Sequence, residues 1–216
     1  MKGKLLLPTI FVAMLALSRI PGLLPSNFSV VYAFAFCAGV FFPRQLVWWL
    51  PFATLLATDI GLNFYYQYAC LDEDVWNARN LANLAFNYVA YAVLILLGRG
   101  FKSQSSVVKL VGGGLLGAIL FYLITNTASW LFNPFHNPEY TKNLAGWLIA
   151  LTKGTGGFPS TWEFFRNTLL SGGIFTALFA AAQKFATAES PAEKTAGARA
   201  PEAEPEPDAE PEESKA

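Results

Sequence analysis

The chain has 216 residues and a composition unlike that of a water-soluble protein. Hydrophobic residues make up 54% of it and charged residues only 14%, and it contains 19 phenylalanines. Soluble domains carry about 25% charged residues, so the composition argues against an ordinary soluble globular fold. The formal net charge is zero, and no nucleic-acid partner is predicted.

Six apolar stretches account for this composition, and each predicts a helix. A bilayer core about 30 Å thick needs roughly 20 apolar residues in helical form. Residues 46–69, 107–132 and 164–186 form stretches that are long enough to span the bilayer, and residues 81–97 are nearly long enough. The two shorter stretches, 5–17 and 28–42, either thin the bilayer or are completed by buried, partly polar turns. The sequence predicts an all-α polytopic membrane protein, a compact bundle of about six transmembrane helices in residues 1–186. The stretches are residues 5–17, 28–42, 46–69, 81–97, 107–132 and 164–186.

The charges of the connections predict the orientation of the chain. With a cytoplasmic N-terminus, six crossings leave most basic connections inside and the acidic segment 72–74 outside. This positive-inside bias predicts a multi-pass protein of the inner (plasma) membrane with both termini cytoplasmic. The inside bases are Lys2, Lys4, Arg44, Arg99, Lys102, Lys109 and Lys184, and the short outside connections hold Arg19, Arg79 and Arg166.

Two segments stand outside this pattern. The longest connection, from about residue 133 to 163, contains an apolar segment, 144–151, that is too short to span. It is either a surface helix or a re-entrant lid over the mouth of the bundle. Residues 187–216 are rich in Ala, Pro and Glu, with nine acidic residues against three basic ones. Such a segment cannot form a core and is predicted to be a disordered cytoplasmic tail.

Three predicted helices carry polar residues four positions apart. Four residues are close to one helical turn, so each pair lies on one face of its helix. Polar groups within hydrocarbon are costly without a partner, so the pairs predict a shared polar pocket in the bundle. The pairs are Asp59 with Asn63, Asn83 with Asn87, and Asn126 with Trp130.

The predicted pocket opens outward, because polar residues are concentrated in the outer halves of the helices and the inner halves are almost entirely apolar. Arg166-Asn167-Thr168 is expected to begin the last helix, where free backbone N–H groups favour anions. The lipid bilayer and a small-molecule ligand are the predicted contacts. The candidate substrate-binding residues are Asn27, Asp59, Asn63, Asn126, Trp130, Arg166, Asn167 and Thr168.

Simpler structural explanations remain open for these residues. A single asparagine often bridges two membrane helices, and Asn83 and Asn87 lie where an interfacial position is an equal alternative. Three explanations are open for Asp59: it is protonated, it pairs with Arg166 or Arg19, or it contacts a cationic substrate. Among the small residues, the Ala35 and Gly39 face could pack inside the bundle or dock a partner subunit.

Catalytic chemistry finds no support in the sequence. No serine is paired with an intramembrane histidine, and one carboxylate does not make an acid–base pair. The predicted depths of Cys37 and Cys70 do not match for a disulfide. Neither cysteine has neighbours at metal-ligand or haem-attachment spacing. No enzymatic activity, catalytic residue, metal site or cofactor is predicted.

Several of these segments resemble an uncharacterised bacterial family of six-helix membrane domains, over roughly residues 5–186. In size and layout that family is similar to the substrate-capture (S) subunits of energy-coupling factor (ECF) vitamin and metal importers. The resemblance is carried by Leu24-Pro25-Ser26-Asn27-Phe28-Ser29, residues 51–59, Thr125-Asn126 with Trp130, and most distinctively Phe164-Phe165-Arg166-Asn167-Thr168 with the four residues that follow.

The resemblance implies a small bundle that binds a micronutrient from outside and docks a coupling subunit and ATPases. The chain has no Gly-rich phosphate loop, so energised transport would need those partners. The alanine face that capture subunits carry on the first helix is weak here, with only Ala13 and Ala16. The alternative is a non-transport membrane scaffold, assembly factor or sensor.

Overall fold

The computed structural model describes residues 2–69 and 75–187, in which the chain forms seven α-helices and no strand. The all-α prediction is confirmed, and each predicted apolar stretch coincides with a helix. The predicted tail beyond Thr187 and the acidic segment 72–74 lie outside the described residues. The helices are α1 (Lys2–Ser18), α2 (Val31–Phe41), α3 (Trp49–Ala69), α4 (Ala78–Arg99), α5 (Val107–Phe132), α6 (Leu144–Thr152) and α7 (Thr161–Thr187).

Three of the described helices, α4, α5 and α7, are long and apolar enough to cross a membrane. This is consistent with a membrane protein. Helices α1 and α2 are apolar but shorter. Helix α3 has 21 residues, but Asp59, Asn63 and Gln67 interrupt its apolar character.

The bundle has two distinct ends. The C-terminal ends of α1, α3 and α5 meet the N-terminal ends of α2, α4 and α7 at one of them. Helix α6 lies at this end against α5 and α7, and we call it the α6 end. At the opposite end Phe11 stacks on Phe179, with ring centroids 3.8 Å apart, and also contacts Phe42. Apolar packing fills that end.

Helix α2 lies at the centre of the bundle. Residues 31–38 are all buried, none more than 4% exposed, because α4, α5 and α7 surround them. At 1.5 Å per residue an 11-residue helix is about 16 Å long, about half of a bilayer core. Since longer helices enclose α2, most of this short helix has no exposed surface. It occupies only part of the length of the bundle.

Small residues bring α2 into backbone contact with α4. A Cβ added to Gly39 would lie 2.2 Å from the carbonyl oxygen of Ile95, and one added to Gly98 would lie 2.1 Å from that of Phe36. Ala35, on the same face of α2, is fully buried. The face that carries Ala35 and Gly39 is therefore an internal packing surface, and the alternative that it docks a partner subunit is wrong.

Gly98→Ala is expected to lower the thermal unfolding midpoint of the detergent-purified protein by several degrees. The new methyl group overlaps a backbone carbonyl that cannot rotate away, and overpacking costs about 1–3 kcal/mol. The matched control is Gly112→Ala on α5, where an added Cβ meets nothing within 4 Å. Its midpoint should stay equal or rise, because alanine favours a helix over glycine. Equal midpoints for the two variants would contradict close α2–α4 packing.

Candidate functional site

A cavity of about 440 Å³ lies at the α6 end of the bundle. Val31 and Tyr32, at the start of α2, are part of its wall. The cavity exists because the central helix begins only at Val31, so no helix fills the axis of the bundle beyond that point. Five other helix ends and the connection between α1 and α2 complete the wall. The polar and aromatic lining residues are Ser18, Arg19, Asn27, Phe28, Ser29, Tyr32, Tyr66, Asn83, Asn87, Tyr91, Phe121, Tyr122, Thr125, Asn126, Ser129, Thr161, Phe164 and Thr168.

Asp59 is buried within α3, 7% exposed, and each of its carboxylate oxygens has a partner. The Arg19 guanidinium, just after α1, donates a short hydrogen bond to Oδ1. The Tyr88 hydroxyl on α4 donates to Oδ2 over 2.9 Å. Of the alternatives open for Asp59, the ion pair with Arg19 is the one observed. The pairing with Arg166 is wrong, because Arg166 lies exposed on α7.

The bonds of Asp59 with Arg19 and Tyr88 connect α1, α3 and α4. Only one member of the ion pair faces the cavity. Arg19 lines the cavity wall, whereas Asp59 does not. The carboxylate therefore lies behind the guanidinium as seen from the cavity.

Asn83 and Asn87 on α4 both line the cavity, together with Tyr91 one turn further along. Within the described chain neither asparagine side chain has a hydrogen-bond partner. A second cavity of about 260 Å³ lies between α3 and α4 and shares these two asparagines with the first. Asn63 lines only this second cavity, so the pair formed with Asp59 does not face the main one.

Asn126 and Trp130 on α5 have different roles in the structure. Asn126 lines the cavity, and its Nδ2 donates to the backbone oxygen of Tyr122 in its own helix. The side-chain oxygen of Asn126 then remains as an acceptor. Trp130 does not line the cavity; its Nε1 donates to the backbone oxygen of Thr141 over 2.8 Å. It therefore holds the connection that precedes α6.

The Arg166-Asn167-Thr168 segment is divided between different environments. Helix α7 begins at Thr161, so this segment lies beyond the first helical turn, where backbone N–H groups are bonded within the helix. The expectation that it forms an anion site at a helix N-terminus is wrong. Thr168 is buried in the cavity wall. Asn167 donates from Nδ2 to the backbone oxygen of Ser26 over 2.9 Å, which fixes the α1–α2 connection.

Asn27 lies in that connection and lines the cavity. Its backbone has a φ of 58°, a left-handed conformation that asparagine tolerates better than most residues. The turn that it forms, together with the Asn167 hydrogen bond, brings the α1–α2 connection over the start of α2.

Helix α6 packs beside the cavity and does not contribute to its wall. Asn143 caps its N-terminus by accepting a hydrogen bond from the backbone N–H of Gly146 over 2.9 Å. Trp147 Nε1 donates to the Thr127 hydroxyl over 3.0 Å, and the Tyr122 hydroxyl donates to the Leu151 carbonyl oxygen. These bonds attach α6 to α5. In the connection that precedes α6, burial and next the charge of Glu139 raise the pKa of Tyr140 above its ordinary value.

Several cavity residues were missed by sequence reasoning. The sequence identifies Arg19 only as a charge of a connection or a partner of Asp59, and Tyr66 is not among its candidate residues. Asn83 and Asn87 are one of the predicted pocket pairs; Tyr91 continues the same four-residue spacing, which is the signal that could have added it to the α4 wall. In residues 2–69 and 75–187, no group of three His, Cys, Asp or Glu side chains comes together as metal ligands.

Comparison with known proteins identifies the family. The family of unknown function DUF6580 matches residues 1–194, and the chain belongs to that family. Neither a curated protein nor a solved structure matches the chain. The prediction of an uncharacterised domain family is confirmed.

Arg19→Met and Asp59→Leu are each expected to destabilise the protein by about 3 kcal/mol, because each leaves a buried charge without its partner. The double variant should recover much of this loss, since it removes both charges. Unfolding midpoints of the four proteins in one detergent form a double-mutant cycle. A double variant that loses the sum of the two single losses would contradict a direct ion pair.

Tyr88→Phe, which removes one hydrogen bond to a charged group, should lower the free energy of unfolding by about 1.5 kcal/mol.

Proposed function

We propose that this DUF6580 protein is an integral membrane protein that captures a small molecule in the cavity at the α6 end. The observation that carries the proposal is the cavity itself. Its volume of about 440 Å³ falls within the range of about 300–1,000 Å³ that is typical of ligand sites. Its wall combines aromatic rings with amide and hydroxyl groups, as such sites do.

The polar wall supports a binding role over a purely structural one. Asparagines that join membrane helices normally bond to the neighbouring helix. Asn83 and Asn87 make no such bond within the described chain. Both side chains are half-exposed and line the cavity, so their amides are open to a ligand there.

The membrane arrangement that we propose has six crossings, α1 to α5 and α7. The three helices that are long and apolar enough to span support this arrangement, and α1, α2 and α3 supply the remaining crossings. An even number of crossings returns both termini to one side. The excess of basic residues in the connections at the end opposite α6 favours the cytoplasm for that side. The cavity then faces outward from the inner (plasma) membrane.

The class of protein that fits best is a micronutrient-capture subunit similar in layout to the S components of ECF importers. Such a subunit needs a coupling subunit and ATPases to transport its ligand. Ala13 and Ala16 on α1 are exposed, and small exposed residues allow another membrane helix to approach closely. The α1 surface is therefore the docking face that this proposal favours, in place of the buried α2 face.

Native mass spectrometry of the purified protein tests the proposal. We expect a retained compound at one copy per chain in the wild-type spectrum. Ser129→Phe should lose it, because Ser129 lines the cavity and the larger ring occupies the volume. Leu123→Phe is the matched control, since it places the same ring on the exposed surface of the same helix. It should retain the compound.

The rival interpretation, a non-transport scaffold, assembly factor or sensor, predicts a different result. A scaffold would give an empty spectrum for all three proteins and would co-purify with non-transport partners. Retention of the compound by Ser129→Phe as well as by Leu123→Phe would show that it binds elsewhere and would refute the cavity as its site.

A further inference from the structure

We propose that the compound captured by this cavity is an aromatic carboxylate whose carboxyl group is held by Arg19. The inference rests on the proposed small-molecule function of the same cavity and specifies its ligand. Three features of the described residues carry it: the charge of the wall, the hydrogen-bonding capacity of the guanidinium, and the aromatic surface beside it.

Among the residues that the structure describes, Arg19 is the one charged side chain in the cavity wall. Its counterion, Asp59, lies behind it and outside the wall. One carboxylate oxygen accepts from Arg19 and the other accepts from Tyr88. A ligand in the cavity therefore meets the positive member of the ion pair first. A cationic ligand would meet the same guanidinium and would find no carboxylate among the described residues of the wall, so the arrangement favours an anionic group.

The Arg19 guanidinium retains hydrogen-bonding capacity. It has five N–H donors, and within the described chain its bonding partner is Asp59 alone. Its Nε is buried and out of reach of a ligand, whereas Nη1 also has no partner there and is not buried. Arginine has the planar fork geometry that matches a carboxylate through two parallel bonds. A bound carboxylate would supply the acceptors that the protein does not.

Aromatic side chains form a continuous surface in the same wall. The Phe121 ring stacks on Tyr91, with centroids 5.2 Å apart and planes 17° apart, and also contacts Tyr32 at 4.7 Å. All three rings line the cavity with Arg19. Flat rings pack well against such a surface, and the amides of Asn83, Asn87 and Asn126 can bond polar atoms at the edge of a ring. The wall therefore suits a ring system that carries a carboxylate.

The experiment compares acids with their own carboxamides, which share shape but not charge. The probes are 2-naphthoate with 2-naphthamide and indole-3-acetate with indole-3-acetamide, titrated calorimetrically against the full-length protein in detergent after removal of any bound compound. At least one acid should bind the wild-type protein roughly tenfold more tightly than its amide, since the charged pair adds at least one strong hydrogen bond. Equal affinities within both pairs, or no binding by either acid, would overturn the proposal.

Two variants assign any preference to Arg19. Arg19→Gln combined with Asp59→Asn removes both charges but keeps a hydrogen-bonding pair, so it avoids an unpaired charge in the bundle. It should bind acid and amide with equal affinity. Asp59→Asn alone removes the competing carboxylate, so the affinity for the acid should rise several-fold. An acid preference that persists in the double variant would overturn the assignment.

The native mass spectrum separates this proposal from the proposed function. If the wild-type protein retains a compound that Ser129→Phe loses, but the acids do not bind, the cavity is a ligand site and only the carboxylate proposal fails. If no compound is retained and no probe binds, both fail. If the acids bind and Ser129→Phe abolishes their binding, both stand.

Discussion

The Arg19–Asp59 ion pair is the interaction on which the α6 end of the bundle depends. A carboxylate within an apolar bundle must be neutralised or paired, and here the partner comes from a different helix end. Tyr88 adds a bond from a third helix. The requirement to satisfy one carboxylate thus fixes the relative positions of α1, α3 and α4. It also presents Arg19 in the cavity wall with Asp59 behind it.

The central position of α2 explains why a cavity exists at all. Gly39 and Gly98 let α2 and α4 meet at their backbones, and longer helices enclose α2 on its other sides. Since α2 has only 11 residues, it fills the opposite end of the bundle and leaves the axis vacant at the α6 end. The connection between α1 and α2 covers part of this space, held by the bond from Asn167 to Ser26. A short buried helix among long ones therefore produces a bundle that is packed at one end and hollow at the other.

This asymmetry fits the capture function that we propose. Phe11 stacks on Phe179 in the packed end, where apolar side chains of the described residues meet. The hollow end gathers amides, hydroxyls, one guanidinium and aromatic rings around a volume suited to a small molecule. Polar groups that would be costly in a lipid-facing position are tolerated there because they face a cavity and not hydrocarbon.

The sequence by itself determined the all-α fold, the position of every described helix and the polar character of one end, because apolar runs and turn residues are local signals. It could not determine which side chains contact each other in the folded bundle. Asp59 was a polar residue with several candidate partners, and only the fold selected Arg19, which is 40 positions away. The same limit applies to Asn63, Trp130 and Arg166, which share the polar end but not the main cavity. Periodicity places a side chain on a face of its own helix, whereas which face lines the cavity depends on how the helices pack around α2.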